Sequence, residues 1–128
     1  MNTAPFRALV VDDEPQARQG LQHLLHSVPG FTCMGEAPNG LEAIQKVQAL
    51  QPDLLLLDIQ MPEINGFEVL HSLPPNARPL TIFITAYDSY AIQAFEVHAI
   101  DYILKPFTDA RFYASMERAR QQLEAQAF

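Results

Sequence analysis

Leu54-Leu55-Leu56-Leu57-Asp58 is an unbroken apolar run that ends in a carboxylate and is followed by a breaker-rich loop, Ile59 to Gly66. An apolar run this short, bounded by turn signals, reads as a strand buried on both faces, as the central strands of a parallel sheet are. Asp58 then sits at the carboxyl end of that strand. In an open α/β sheet, ligands bind at that rim, beside a topological switch point. Asp58 is therefore the first candidate functional residue, and the ends of the other strands are where its partners should appear.

Upstream, Phe6 to Val11 (Phe-Arg-Ala-Leu-Val-Val) reads as the first strand and delivers Asp12-Asp13-Glu14-Pro15 at its carboxyl end. Proline suits the first turn of a helix, where no N–H is needed, and acids there complement the helix dipole. Ala17, Leu21, Leu24, Leu25 and Val28 then recur at helical spacing until Pro29-Gly30. Phe31 to Ala37 is the second strand. Asn39 with Glu42 three residues on predicts a capping box for a second helix, whose apolar face is Leu41, Ile44, Val47 and Leu50. Beyond the central strand, taken as Leu54 to Asp58, a short helix carries Phe67, Val69, Leu70 and Leu73. Leu80 to Thr85 (Leu-Thr-Ile-Phe-Ile-Thr) is the fourth strand and ends in a hydroxyl. Asp88 or Ser89 is expected to cap a fourth helix with its body at Tyr90 to Val97. Asp101 to Leu104 is the last strand, closed by Lys105-Pro106-Phe107, and Thr108 or Asp109 caps a final helix with Phe112, Met116, Ala119 and Leu123 on one face.

Five strands alternating with five helices predict one parallel sheet with helices on both faces and right-handed crossovers. The expected fold is α/β, a flavodoxin-like doubly wound sheet of order 2-1-3-4-5. At 128 residues the chain is one domain's worth, read as a single domain over residues 1–128. The composition, 48% hydrophobic with 18% charged residues, excludes a disordered chain. No apolar run spans a bilayer and no signal-peptide pattern opens the chain, so the expected location is the cytoplasm, with no membrane partner. The single cysteine, Cys33, excludes an intramolecular disulfide and a cysteine-based zinc site, and reads as a small buried strand residue. The formal charge of −7 offers no broad basic surface to nucleic acid. His23 and His26 stand three apart on the first helix but have no further ligand with them, and His71 and His98 have no partner in the pattern.

In the expected strand order Asp12 and Asp13 come to rest beside Asp58. Three crowded carboxylates repel unless a cation neutralises them, and few protein oxygens with retained waters is a magnesium preference. The neighbouring strands add Thr85, a hydroxyl, and Lys105, an ammonium. A carboxylate nucleophile, an acidic metal site, a hydroxyl and an ammonium together suit the binding of a phosphoryl group at Asp58.

The same residues carry a resemblance. Leu9-Val10-Val11-Asp12-Asp13-Glu14, Leu57-Asp58, Met61-Pro62-Glu63-Ile64-Asn65-Gly66, Ile84-Thr85-Ala86 and Lys105-Pro106 resemble a response-regulator receiver domain, the phosphoacceptor half of two-component signalling, over essentially the whole chain. The resemblance implies that Asp58 takes phosphate from the phosphohistidine of a sensor histidine kinase. It implies Mg2+ bound by Asp13, with Asp12 in support and Asp58 and the Gln60 backbone carbonyl completing the protein ligands. Thr85 and Tyr102 become a switch pair, and Lys105 contacts the phosphoryl group. Such a domain is not an enzyme acting on other substrates; it catalyses only its own phosphorylation and dephosphorylation. The Lys105-Pro106 bond is expected to be cis. Gln60 and Tyr87 are expected to flank the path of attacking water, with the bulk of Tyr87 obstructing it.

The stretch Ala86-Tyr87-Asp88-Ser89-Tyr90-Ala91-Ile92-Gln93-Ala94-Phe95-Glu96-Val97-His98-Ala99-Ile100-Asp101-Tyr102-Ile103-Leu104-Lys105-Pro106-Phe107 is similar to receivers attached to LytTR-type DNA-binding domains. The chain is thus expected to be a receiver excised from a longer transcription regulator, the alternative being a stand-alone receiver. DNA would be reached only through an output domain outside this chain. A switch in this stretch, rich in Tyr90, Ile92, Phe95 and Val97, predicts a homodimer through helix four, strand five and helix five on phosphorylation. The rival reading is a phosphatase of haloacid-dehalogenase type passing through an aspartyl phosphate. Such enzymes place a second acid two residues after the nucleophile, and here that position is Gln60. A third reading, a pseudo-receiver acting as an interaction module, predicts the loss of an acid, Thr85 or Lys105, and none is lost.

Overall fold

Four leucines with no exposed surface, Leu54 to Leu57, form the middle strand of a five-stranded parallel sheet. The computed structural model describes residues 4–127; the residues at either end of the expected 1–128 domain, 1–3 and 128, lie outside the described residues. In chain order the elements are β1 (Phe6–Val11), α1 (Pro15–His26), β2 (Phe31–Ala37), α2 (Gly40–Leu50), β3 (Leu54–Leu57), α3 (Gly66–His71), β4 (Leu80–Thr85), α4 (Ala91–Glu96), β5 (Asp101–Leu104) and α5 (Asp109–Gln126), with a single 3-10 turn at Pro75–Ala77. The strand order is β2-β1-β3-β4-β5, the flavodoxin-like order that the alternation predicts.

Because successive side chains in a strand point to opposite faces, the sheet builds two cores. Leu9, Val11, Leu55, Leu57 and Phe83 meet Ala43, Val47, Phe67 and Ala94 of α2, α3 and α4 on one face. Val10, Leu54, Leu56, Ile82, Ile84 and Ile103 meet Leu21, Leu25, Phe112 and Met116 of α1 and α5 on the other. Each fully buried leucine contributes roughly 1.5–3 kcal/mol relative to exposure, which is why β3 holds the register of its neighbours. Val11 pairs with Leu57, Leu57 with Phe83 and Thr85 with Leu104. The residues just past these pairs therefore share one rim.

Several local expectations change. β3 stops at Leu57, because Asp58 leaves the ladder after donating its amide to the Val11 carbonyl (3.0 Å). α1 ends at His26, so Val28 packs from the following turn rather than from the helix. In α2 the inward face is Gly40, Ala43 and Val47 with Ile44 beside them, while Leu41 and Leu50 are exposed. The buried face is turned toward Gly40 and Ala43, which leaves the two end positions of the expected stripe in solvent. The Asn39 side chain caps α2 by accepting from the Glu42 amide at 2.9 Å, but the Glu42 carboxylate meets the Asn39 side-chain amide instead of its backbone. The full reciprocal box forms at α3, between Asn65 and Glu68. α4 spans Ala91–Glu96 with Tyr90 at its N-cap and no side-chain cap, so neither Asp88 nor Ser89 fills that role. Thr108 does cap α5, accepting from the Arg111 amide. Cys33 is half-buried rather than buried, and burial is the main reason its thiol is pushed up.

Candidate phosphoryl-binding site

The breaker loop after β3 is drawn tightly under Asp58. The Gly66 amide returns to the Ile59 carbonyl at 2.8 Å, and a Cβ on Gly66 would stand 2.5 Å from the Asp58 carbonyl oxygen. That clearance admits only glycine. The loop thereby fixes the Asp58 carboxylate at the rim: Oδ1 accepts from the Ile59 amide at 2.7 Å and Oδ2 lies 3.5 Å from Lys105 Nζ.

Neighbouring strands bring the other groups. Asp12, one residue past β1, is almost wholly buried. Its Oδ1 accepts from the Glu14 amide at 2.9 Å and its Oδ2 accepts from Lys105 Nζ at 2.6 Å. Asp13 is half-buried beside it. Carboxylate oxygens of Asp12, Asp13 and Asp58 all lie within 4.8 Å of one another. Crowded hard oxygens of this kind suit Mg2+, which is satisfied with few protein ligands. Lys105 follows β5 and reaches back across the rim, and its peptide bond to Pro106 is cis, as expected. Thr85 ends β4 with no exposure.

Electrostatics mark Asp58 out. Burial is the largest influence on its carboxyl and raises it above the ordinary value, with the Asp12 charge adding to the rise; Lys105, the Ile59 amide and the Thr85 hydroxyl pull the other way. For Lys105, burial alone would lower the ammonium. The bond to Asp12 and the charge of Asp58 more than offset it, and the ammonium is raised. Desolvation combined with specific charge partners at a cleft makes Asp58 a candidate functional carboxylate.

A cleft of about 630 Å³ opens at these groups, and Asp13, Asp58, Lys105, Met61, Tyr87 and Tyr90 are among its lining. Gln60, an exposed residue, also lines it. Tyr102 is not at this cleft: its ring packs on Phe83 at 6.5 Å, and its hydroxyl donates to the Tyr87 carbonyl. Of the residues picked out from the sequence, Asp12, Asp13, Asp58, Gln60, Thr85 and Lys105 converge, and Tyr102 flanks the loop beyond Thr85. None of the four histidines joins the acidic cluster: among the described residues the one group of three or more metal-ligating side chains is the three aspartates. Sequence reasoning missed Tyr90 as a site residue; its hydroxyl accepts a 2.9 Å hydrogen bond from the Gln60 side-chain amide. No periodicity links residues on two separate loops.

The sequence profile described as "Response regulator receiver domain" matches residues 8–117. The transcriptional regulatory protein BtsR of Salmonella typhi is 48% identical over 121 residues, covering 94% of this chain and 51% of that protein. The chain thus spans about half the length of such curated relatives. Among solved structures, the response regulatory domain of protein mrkE from Klebsiella pneumoniae aligns with a TM-score of 0.87 at 29% identity, covering 94% of this chain and 99% of that one. The response regulator domain of Thermotoga maritima CheB aligns at 0.81 and 32% identity, covering 94% and 97%.

Proposed function

This chain belongs to the response regulator receiver family, and from that premise we propose that it is the phosphoacceptor of a two-component pathway, modified on Asp58 by a sensor histidine kinase. The observation that carries the proposal is the setting of the Asp58 carboxylate. One oxygen is fixed by the Ile59 amide, and the other is turned toward Lys105 beside two further aspartates.

In the proposed reaction Asp58 Oδ2 attacks the phosphorus of the donor phosphohistidine. The P–N bond breaks, its electron pair leaves with the imidazole, and the imidazole takes a proton from solvent. Lys105 faces the incoming phosphoryl oxygens and, tied to Asp12 at 2.6 Å, is held in place before the charge arrives; such preorganisation is what lowers the barrier. The Thr85 hydroxyl donates to the same group. A bound Mg2+, held by Asp13, Asp58 and the Gln60 carbonyl with Asp12 in support, would supply neutralisation of the phosphoryl charge. The product stays on the protein, so the output is a change of shape. Thr85 and Tyr102 are proposed as the switch pair, since Tyr102 holds the carbonyl of Tyr87, two residues past Thr85.

No helix among the described residues is long and apolar enough to cross a membrane, and the proposed site of action is the cytoplasm. We further propose that residues 1–128 form one receiver domain of a longer transcription regulator, with a LytTR-type DNA-binding domain as its output. The half-length coverage of a relative described as a transcriptional regulator supports this, as does the resemblance of residues 86–107. The phosphatase alternative is disfavoured because Gln60, at the position of the required acid, carries an amide already committed to Tyr90.

The test is incubation with a small acyl phosphate or a phosphorylated kinase, followed by intact and peptide mass. Labelling on Asp58 that disappears in Asp58→Ala and on chelation of Mg2+ is expected. Labelling that persists in either arm would overturn the reading.

A further inference from the structure

The hydrogen bond from Gln60 Nε2 to Tyr90 Oη, 2.9 Å long, joins the loop after β3 to the start of α4, and both residues line the cleft. The two ends are unequal. Gln60 is exposed, whereas Tyr90 is half-buried, its ring set against Phe67 at 5.9 Å and edge-on to Tyr87 at 6.4 Å. A ring held by two aromatic neighbours is the fixed partner, and the flexible glutamine is the one being held. An amide carries both donors and an acceptor, so a free Gln60 side chain lining this cleft could orient a water toward a phosphoryl group on Asp58. One committed to Tyr90 is withheld from that task.

We propose that Tyr90 is a positioning residue that keeps the Gln60 amide away from attacking water and so prolongs the life of the aspartyl phosphate. The inference rests on Asp58 being the phosphoacceptor. In the hydrolysis concerned, a water oxygen attacks the phosphorus and the bond between phosphorus and the Asp58 oxygen breaks. The electron pair remains on the carboxylate, and the water proton passes to solvent.

Tyr90→Phe keeps the ring and removes only the hydroxyl, so it separates positioning from packing. The protein is labelled with acetyl phosphate and Mg2+, the donor is removed, and decay of the label is followed by intact mass in wild type, Tyr90→Phe, Gln60→Leu and the double variant. Tyr90→Phe is expected to decay about fivefold faster, the change that losing one hydrogen bond of ordinary net strength converts to. In the Gln60→Leu background the same substitution is expected to be silent. Equal decay in Tyr90→Phe and wild type overturns the proposal, and so does equal acceleration in both backgrounds, which would assign the effect to the hydroxyl acting without Gln60. The side-chain amide resonances of Gln60 in the unphosphorylated protein give a readout independent of the chemistry, and they are expected to move in Tyr90→Phe. Resonances that stay fixed while wild type labels normally overturn the positioning role alone. Resonances that move while wild type takes no label overturn the phosphoacceptor reading, and the positioning role falls with it.

Discussion

At the scale of single residues, Asp58 is a group that the fold tolerates at a cost. Its carboxyl is raised above the ordinary 3.8, chiefly by burial, so the sign of its linkage is the reverse of the usual acid. Between about pH 4 and its folded-state pKa, the folded protein keeps a proton that the unfolded chain has released. Stability of the metal-free protein therefore declines as pH rises through that window and levels off above it. Asp58→Asn removes the buried charge while keeping an oxygen for the Ile59 amide. It is expected to stabilise the metal-free protein by about 0.5–2 kcal/mol at neutral pH, the usual gain when a functional site is relieved. It should also flatten that part of the pH profile. Urea unfolding from pH 4 to 8 in the presence of a chelator checks both; a variant less stable than wild type at neutral pH would refute the account. This residue was legible in the sequence because it ends the most apolar run in the chain, and Thr85 and Lys105 were legible as ends of later strands. The Gln60–Tyr90 bond was not, because it depends on where two loops come to rest.

At the scale of elements, strands were easier to read than helix faces. A strand buried on both sides declares itself by composition, and β1, β2, β4 and β5 keep their expected ends. A helix declares only a stripe, and how it is turned against the sheet is a tertiary property; hence the exposure of Leu41 and Leu50 on α2. α4 is the extreme case. Six residues long and without a side-chain cap, it buries Ala94 and leaves Ile92 and Phe95 outside, at 77% and 83% exposure. β5 and α5 are instead pinned together by a fork. Arg111 donates through both terminal nitrogens to Asp101, at 2.8 and 2.9 Å. Burial by itself would raise the Asp101 carboxyl, but the bond from Arg111 and the Tyr102 amide outweigh it and hold the carboxyl below its ordinary 3.8. The sign here is the usual one: the contribution is complete above about pH 4 and is lost as pH falls through the depressed folded-state value. Arg111→Met is expected to cost about 1 kcal/mol at pH 7, since Arg111 is partly exposed and Arg118 stands 3.5 Å from the same carboxylate as a spare partner. That cost should shrink as the pH falls below about 4. Thermal or urea unfolding of the two proteins at pH 7 and pH 3 decides it: a difference unchanged at pH 3 would mean that the fork contributes packing and not charge.

At the scale of the molecule, the proposed switch would join the site to the exposed α4 surface. Asp58 and Ile92 lie on separate elements, but the loop between β4 and α4 is held at both ends by phenols, Tyr102 on the Tyr87 carbonyl and Tyr90 on Gln60. A phosphoryl group that draws Thr85 inward pulls on that loop and hence on α4. Two apolar side chains left in water on a short, weakly anchored helix have most to gain from a second copy of the same face, and a two-fold pairing needs no other partner. Each copy carries a formal charge of −7, so mutual repulsion opposes the pairing until the surfaces fit. Added salt should therefore strengthen association rather than weaken it. With Mg2+ and a beryllofluoride phosphoryl mimic, sedimentation is expected to show a dimer through α4, β5 and α5 where the untreated protein is monomeric. Phe95→Glu should leave the fold intact, because the side chain is exposed and surface changes of this kind stay within about 0.5 kcal/mol. It should also still accept the label on Asp58, yet remain a monomer with the mimic. A wild type that is monomeric in both states at high concentration, or a Phe95→Glu variant that pairs as readily as wild type, would place the output of the switch on another surface.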